Sequence, residues 1–150
     1  MLSVGETAPD FQLSDQDGEP VALSDYEGQR VVLYFYPRAD TPGCTTEACG
    51  FRDEWDAFED RDVAVLGVSD DPVDDLDDFA AAYDLPFRLL SDEDGEVASR
   101  YDSYGEKNMF GNTFDGVFRN TYLIGPDGTV EAVYEGVDPE GHAEEILADL

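Results

Sequence analysis

The chain has little positive charge. Lys107 is its single lysine, and with seven arginines it faces 37 acidic residues, so that 150 residues carry a net charge of −29. A field of that sign repels phosphate backbones and anionic headgroups, and neither nucleic acid nor membrane is expected as a partner. Long apolar runs are also missing: the longest, VVLYFYP, falls far short of the roughly 20 residues a membrane helix needs. The first residues, MLSVGETAPDF, contain neither a basic segment nor a continuous apolar one, so nothing marks a secretory signal and a cytoplasmic location is expected. Histidine occurs once, as His142, and cysteine twice, as Cys44 and Cys49, short of the four ligands of a structural zinc site. Calcium fares no better. SDQDG and SDEDG look like pieces of an EF-hand, but loops with their glycine at Gly18 or Gly95 would start on Leu13 or Leu90, where aspartate is required. No metal and no cofactor is expected.

What is present is globular. With 41% hydrophobic and 12% aromatic residues the chain does not have the composition of a disordered tail. Residues 1–150 should form one domain, and at this size roughly 70% of the unfolded surface is buried without a disulfide staple. Self-repulsion among so many carboxylates destabilises a compact state in dilute buffer, whereas at about 1 M salt the Debye length is only about 3 Å. A high-salt cytoplasm is the expected setting.

The order of elements follows from periodicity. FQLSDQDGEPVALSDY predicts an N-terminal hairpin turning at Asp17-Gly18, and RVVLYFYP a strand buried on both faces, central in the sheet. Ala48, Phe51, Trp55 and Phe58 share one face of a helix reaching about Asp60. DVAVLGVS is a second buried strand. Asp71-Pro72 supplies an N-cap and first-turn proline for a helix with Leu76, Phe79, Ala80 and Tyr83 inward and Asp74, Asp75, Asp77 and Asp78 solvated. FRLLSD gives a short strand and EVASRYDSY a brief helix. Residues 103–117 show no clean period and predict a loop bordering the site. VFRNTYLIG and TVEAVYEG form a hairpin around Asp127-Gly128. Asp138-Pro139 then caps a last helix with Ala143, Ile146, Leu147 and Leu150 inward and His142 solvated. This alternation predicts an α/β fold with a mixed central β-sheet flanked by helices.

Both thiols lie in TPGCTTEACG, residues 41–50. Thr41 as N-cap and Pro42 in the first turn put Cys44 at the positive end of a helix, where the thiolate, the reactive form, is favoured. Cys49 is five residues on, about 8 to 9 Å away at Cα in a regular helix and beyond the roughly 7 Å that a disulfide spans. Joining the two requires the first turns to unwind, which suits a bond made and broken in a cycle. The pattern fits a thiolate that is oxidised to a sulfenic acid and captured by its neighbour after local unfolding. It is not the C-x-x-C of thioredoxin-type reductases. Two other classes share these residues: a redox sensor using the same switch, and a metallochaperone that would need a histidine close by.

YFYPRADTPGCTTEACGFRD closely resembles the active-site segment of the peroxiredoxins, in particular the Q-type or bacterioferritin comigratory subclass. The likeness extends to VGETAPDFQL, LGVSDDP, YGEKNMFG and GVFRNTYLIGPDG, nearly the whole chain. It implies a thioredoxin-like fold and thiol-dependent reduction of hydroperoxides, with a thioredoxin-like dithiol as reductant and no metal, haem or flavin. Residue by residue it implies Cys44 as the peroxidatic and Cys49 as the resolving cysteine, joined by an intramolecular disulfide. Pro37 and Pro42 would shape and shield the pocket. Thr41 would contact thiolate and peroxide, Arg119 would hold both from a strand, and Glu47 would partner that arginine. Arg38 stands where lysine is common and Tyr104 where tryptophan is, which bears on substrate details. The subclass includes monomers, and so high a charge favours one here.

Overall fold

The computed structural model describes residues 1–150, leaving out only the side chain of Met109. Three parallel neighbours form the middle of a seven-stranded sheet: β3 (Arg30–Phe35), β4 (Val63–Ser69) and β5 (Arg88–Ser91). Antiparallel strands extend both sides. β8 (Thr121–Ile124) and β9 (Val130–Tyr134) continue from β3, while β1 (Gln12–Asp15) and β2 (Pro20–Ala22) continue from β5, giving the order β2-β1-β5-β4-β3-β8-β9. The expected mixed sheet is therefore present, with β4 in the middle and β3 beside it. The two hairpins turn where Asp-Gly pairs predict, with Gly18 at φ 77° and Gly128 at φ 82°.

Strand β3 shows why its run is apolar throughout. Val31, Leu33 and Phe35 face one core cluster, while Val32 and Tyr34, followed by Tyr36, face the other. On the second face lie α1 (Pro42–Asp53), α2 (Trp55–Asp60), α3 (Val73–Tyr83) and α5 (His142–Asp149), contributing Ala48, Phe51, Phe58, Leu76, Phe79, Ala143 and Ile146. The first face is covered by α4 (Glu96–Arg100) with Phe11, Leu23 and Tyr101. A fully buried Phe or Leu contributes about 1.5–3 kcal/mol by leaving water, so these two layers supply the main stabilisation. Asp74, Asp75, Asp77 and Asp78 are exposed on α3, as their spacing predicts. No helix among the described residues is long and apolar enough to cross a membrane.

Several local expectations are corrected. The helix predicted to reach Asp60 breaks at Glu54, whose ψ of 11° separates α1 from α2. Residues 104–117 form a two-stranded ribbon rather than a loop, β6 (Tyr104–Met109) against β7 (Asn112–Val117). Its tight turn is Phe110-Gly111, both at positive φ. VFRNTYLIG is interrupted, so Arg119 lies in the link between β7 and β8 and not on a strand. Pro72 and Gly141, not Asp71 and Asp138, occupy the N-cap positions of α3 and α5. Leu150 is 38% exposed, and His142, expected in solvent, is 2% exposed. Its Nε2 lies 2.8 Å from Thr121 Oγ1 and its Nδ1 3.0 Å from Glu145 Oε1, with the ring edge-on to Phe51 and Tyr134. Burial holds its imidazole below the ordinary range, against the pull of Glu145.

Candidate active site

Helix α1 carries both thiols, and both are free. Five helical residues turn the chain by about 140° net, so the two sulfurs face different sides. Cys44 is 1% exposed in the aromatic core, while Cys49 is half-buried. Unbroken helix from Pro42 to Asp53 holds their Cα atoms beyond disulfide reach.

The helix starts as the sequence predicts, with Thr41 as N-cap and Pro42 as first residue. The Thr41 carbonyl accepts the first intrahelical bond from Thr45 N at 2.8 Å. The Thr41 hydroxyl, however, donates to Arg38 O at 2.8 Å and neither caps the helix nor touches Cys44. The N–H groups of Gly43 and Cys44 consequently have no side-chain cap, and by position no intrahelical acceptor. Pro37, half-buried, follows Tyr36, whose amide donates to Val68 O.

Asp71 fixes the intervening loop. Buried between β4 and α3, its Oδ2 accepts from Ala39 N at 2.7 Å and from Ser69 Oγ at 2.7 Å. Asp40 takes a left-handed φ of 59° and accepts from Tyr83 Oη. The sequence offered Asp71 only as a helix cap, because its true partner lies 32 residues away.

Arg119 reaches the site from the link between β7 and β8. Its link is pinned on the backbone: Val137 N donates to Arg119 O, and Asn120 O accepts from Phe35 N. The Asn120 side chain bridges Ser103 and Gly136. From this anchor Nη1 donates to Glu47 Oε1 at 2.8 Å and Nη2 to Cys44 Sγ at 3.4 Å. Gly43 makes room, since a Cβ there would sit 3.1 Å from Nη2. Glu47, one turn after Cys44, has no exposed side-chain surface, and its Oε2 has no hydrogen-bond partner. Burial raises its carboxyl to about 7, against the opposing charge and hydrogen bond of Arg119.

Lys107 on β6 also belongs here, although no sequence signal marked it. Its ammonium lies 5.8 Å over the Phe118 ring, with no carboxylate in ion-pair range among the described residues. Burial and then the like charge of Arg119 lower its pKa, while Cys44 and Asp70 oppose that. The ribbon thus borders the site as expected of residues 103–117, but as strands. Of the predicted site residues, Arg119 bonds both Cys44 and Glu47. Thr41 starts their helix, Pro37 ends the run that follows β3, and Cys49 stands apart.

Such a site holds a nucleophilic sulfur, a guanidinium and two open amides around one point. Charge developing on an oxygen there would be stabilised by donors already in place. Comparison with known proteins gives the family. The AhpC/TSA family pattern matches residues 4–133. The peroxiredoxin Bcp of Escherichia coli (strain K12) is 47% identical over 146 residues, covering 97% of this chain and 94% of its own. A crystal structure of a PrxQ cysteine-to-serine mutant from Xylella fastidiosa superposes with a TM-score of 0.93 at 36% identity, covering 99% of this chain and 95% of that one. A Xanthomonas campestris bacterioferritin comigratory protein, studied for alkyl peroxide reduction through trapped intermediate and ligand complexes, gives 0.92 at 36% identity, covering 99% and 96%. The thioredoxin-like architecture and the near-complete coverage leave one assignment: the chain belongs to the AhpC/TSA family, as a peroxiredoxin of the Bcp and Q type.

Proposed function

We propose that residues 1–150 act as one thiol peroxidase unit in which Cys44 attacks a hydroperoxide and Cys49 resolves the product. The observation that carries this reading is Arg119 donating to Cys44 Sγ from the position where it also holds Glu47. Thiolate sulfur attacks the terminal peroxide oxygen in line: an S–O bond forms, the O–O bond breaks, and the leaving alkoxide or hydroxide takes a proton. Arg119 and the amides of Gly43 and Cys44 oppose the charge moving along that line, and Pro37 and Pro42 limit water around it. Thr41 joins them after its hydroxyl leaves the Arg38 carbonyl. The first turns of α1 then unwind, Cys49 attacks the Cys44 sulfenic acid, water leaves, and a thioredoxin-like dithiol returns two electrons and two protons.

The acidic surface supports work in a salt-rich cytoplasm, as a monomer kept apart by its own charge. Intact mass after one equivalent of hydrogen peroxide, in molar KCl, tests the cycle. Wild type should lose two hydrogens, Cys49→Ser should trap a sulfenic acid, and Cys44→Ser should show neither; turnover retained in Cys44→Ser would end the proposal.

A further inference from the structure

Arg119 is the one cation bonded within the buried site, and it is bonded to two acids. A guanidinium can neutralise one of them. Cys44 and Glu47 are both all but inaccessible, at 1% exposure each, so a second anion would stand in low dielectric without a counter-charge. The orphaned Oε2 of Glu47 makes the same point, because an ionised carboxylate buried with one oxygen unpaired is costlier than a neutral carboxyl.

We infer, building on the peroxidatic reading of Cys44, that the Cys44, Arg119 and Glu47 unit holds one proton between its two acids. Glu47 carries it while Cys44 is thiolate and surrenders it when the sulfur is oxidised. Glu47 is then a positioning residue that acts through Arg119: it sets the charge of the site rather than touching the peroxide. The step balances: thiolate, carboxylic acid and R–O–O–H give sulfenic acid, carboxylate and R–OH. Sulfur gives an electron pair in breaking the O–O bond, and the proton that Glu47 releases balances the one the alkoxide takes up. Once sulfur is neutral, Arg119 is free to pair with the Glu47 carboxylate.

The surroundings leave this exchange to those three groups. Tyr34 and Tyr36 face Cys44 and Glu47 from β3, and burial keeps both phenols neutral. From α5, His142 is held neutral by burial. From β6, Lys107 acts on Cys44 and Arg119 without a bond to either. The near-neutral range of Glu47, about 7, means that its proton can move at cellular pH.

Infrared difference spectra of full-length Cys49→Ser, reduced and after one equivalent of cumene hydroperoxide, test the idea at about pH 6, a unit below the range of Glu47. Carbon-13 glutamate identifies the glutamate bands. One protonated glutamate carboxyl should vanish per Cys44 oxidised, with a carboxylate appearing, and the pair should be missing from Cys49→Ser/Glu47→Gln. In that variant, which keeps an amide oxygen for Arg119, the oxidation rate should fall more steeply as the leaving alcohol becomes less acidic. A carboxyl band that persists after oxidation, or a Glu47 carboxylate before and after it, overturns the shared proton. Mass spectrometry separates the layers: no sulfenic acid at all defeats the peroxidatic reading, while sulfenic acid with an unchanged carboxyl band defeats this inference alone.

Discussion

Gly50→Ala should slow disulfide formation without slowing the reaction of Cys44 with peroxide. Gly50 stands in the interior of α1, between Cys49 and Phe51. Nothing in the folded state demands glycine: its φ is not positive, and a Cβ there would meet no atom within 4 Å. Phe51 next to it is the fixed point of the helix. Its ring stacks on Tyr34 at 4.7 Å and packs against Phe58 at 5.8 Å, Phe87 at 6.2 Å and His142 at 5.8 Å. A segment ending at Cys49 can therefore unwind against an immobile Phe51, with Gly50 as the joint. Interior glycine costs a helix about 1 kcal/mol relative to alanine. Alanine would remove that help to opening, and 1 kcal/mol is about fivefold in the population of the open state. Rapid-quench mass spectrometry at one equivalent of peroxide should show the sulfenic acid forming at the wild-type rate and the disulfide about fivefold slower, with more sulfinic acid at excess peroxide. Gly50→Ser should fall between the two. Equal disulfide rates in all three, together with a melting temperature raised by alanine, would show that α1 opens elsewhere.

Gly43→Ala would bring a Cβ to 3.1 Å from Arg119 Nη2, and the guanidinium, tied to Glu47 and Cys44, must yield. A guanidinium shifted by a few tenths of an ångström keeps only part of a charge-assisted bond of about 1.5–3 kcal/mol, so Cys44 oxidation should slow by up to about tenfold, read by stopped-flow. Asp71→Ala strands the Ala39 amide and the Ser69 hydroxyl, so stability should drop by about 1–3 kcal/mol in urea titrations and peroxide reactivity should fall with the loosened loop. Glu47→Gln should change the pH dependence of stability. The folded carboxyl, raised from 4.5 to about 7, binds a proton that the unfolded chain has released, so stability is lost as pH rises through that window. The difference between wild type and variant should shift in the variant's favour by about 2.5 kcal/mol from about pH 5 to pH 8, by the same titrations; a difference that stays flat with pH would contradict a buried Glu47. Melting temperature should rise steadily from dilute buffer to molar KCl, and a flat curve would remove the high-salt reading.

Local signals carried the architecture, and each failure has an identifiable cause. Strand β3, the two Asp-Gly hairpins and the start of α1 are set by residues within one turn or one ribbon of each other, so period and turn chemistry are enough. The ribbon of β6 and β7 escaped because its turn is Phe110-Gly111, and a phenylalanine at φ 54° is not a residue that turn chemistry proposes. The break at Glu54 escaped because Phe51, Trp55 and Phe58 keep helical spacing across it. His142 escaped because its partner Thr121 is a distant strand residue, and periodicity cannot see a hydrogen bond across 21 positions.

The active site divides along the same line. Cys44, Cys49, Thr41, Pro42 and Glu47 lie within nine consecutive residues, and helix geometry alone relates them. Arg119 is a different case, one of seven arginines in an acidic chain, singled out only by resemblance to a family. Its distinction is environmental. The side chains of Arg30, Arg52, Arg88 and Arg100 pair with carboxylates while 35% to 51% exposed, where water screens the pair and its worth is small. That of Arg119 is 18% exposed against a Glu47 with none. Among the paired arginines described, only Arg119 enters a medium of such low dielectric, and that medium is completed by Phe79 and Phe87, which arrive from later elements to pack on Tyr36 and Tyr34. The sequence names the reacting sulfur; the field around it exists only in the fold.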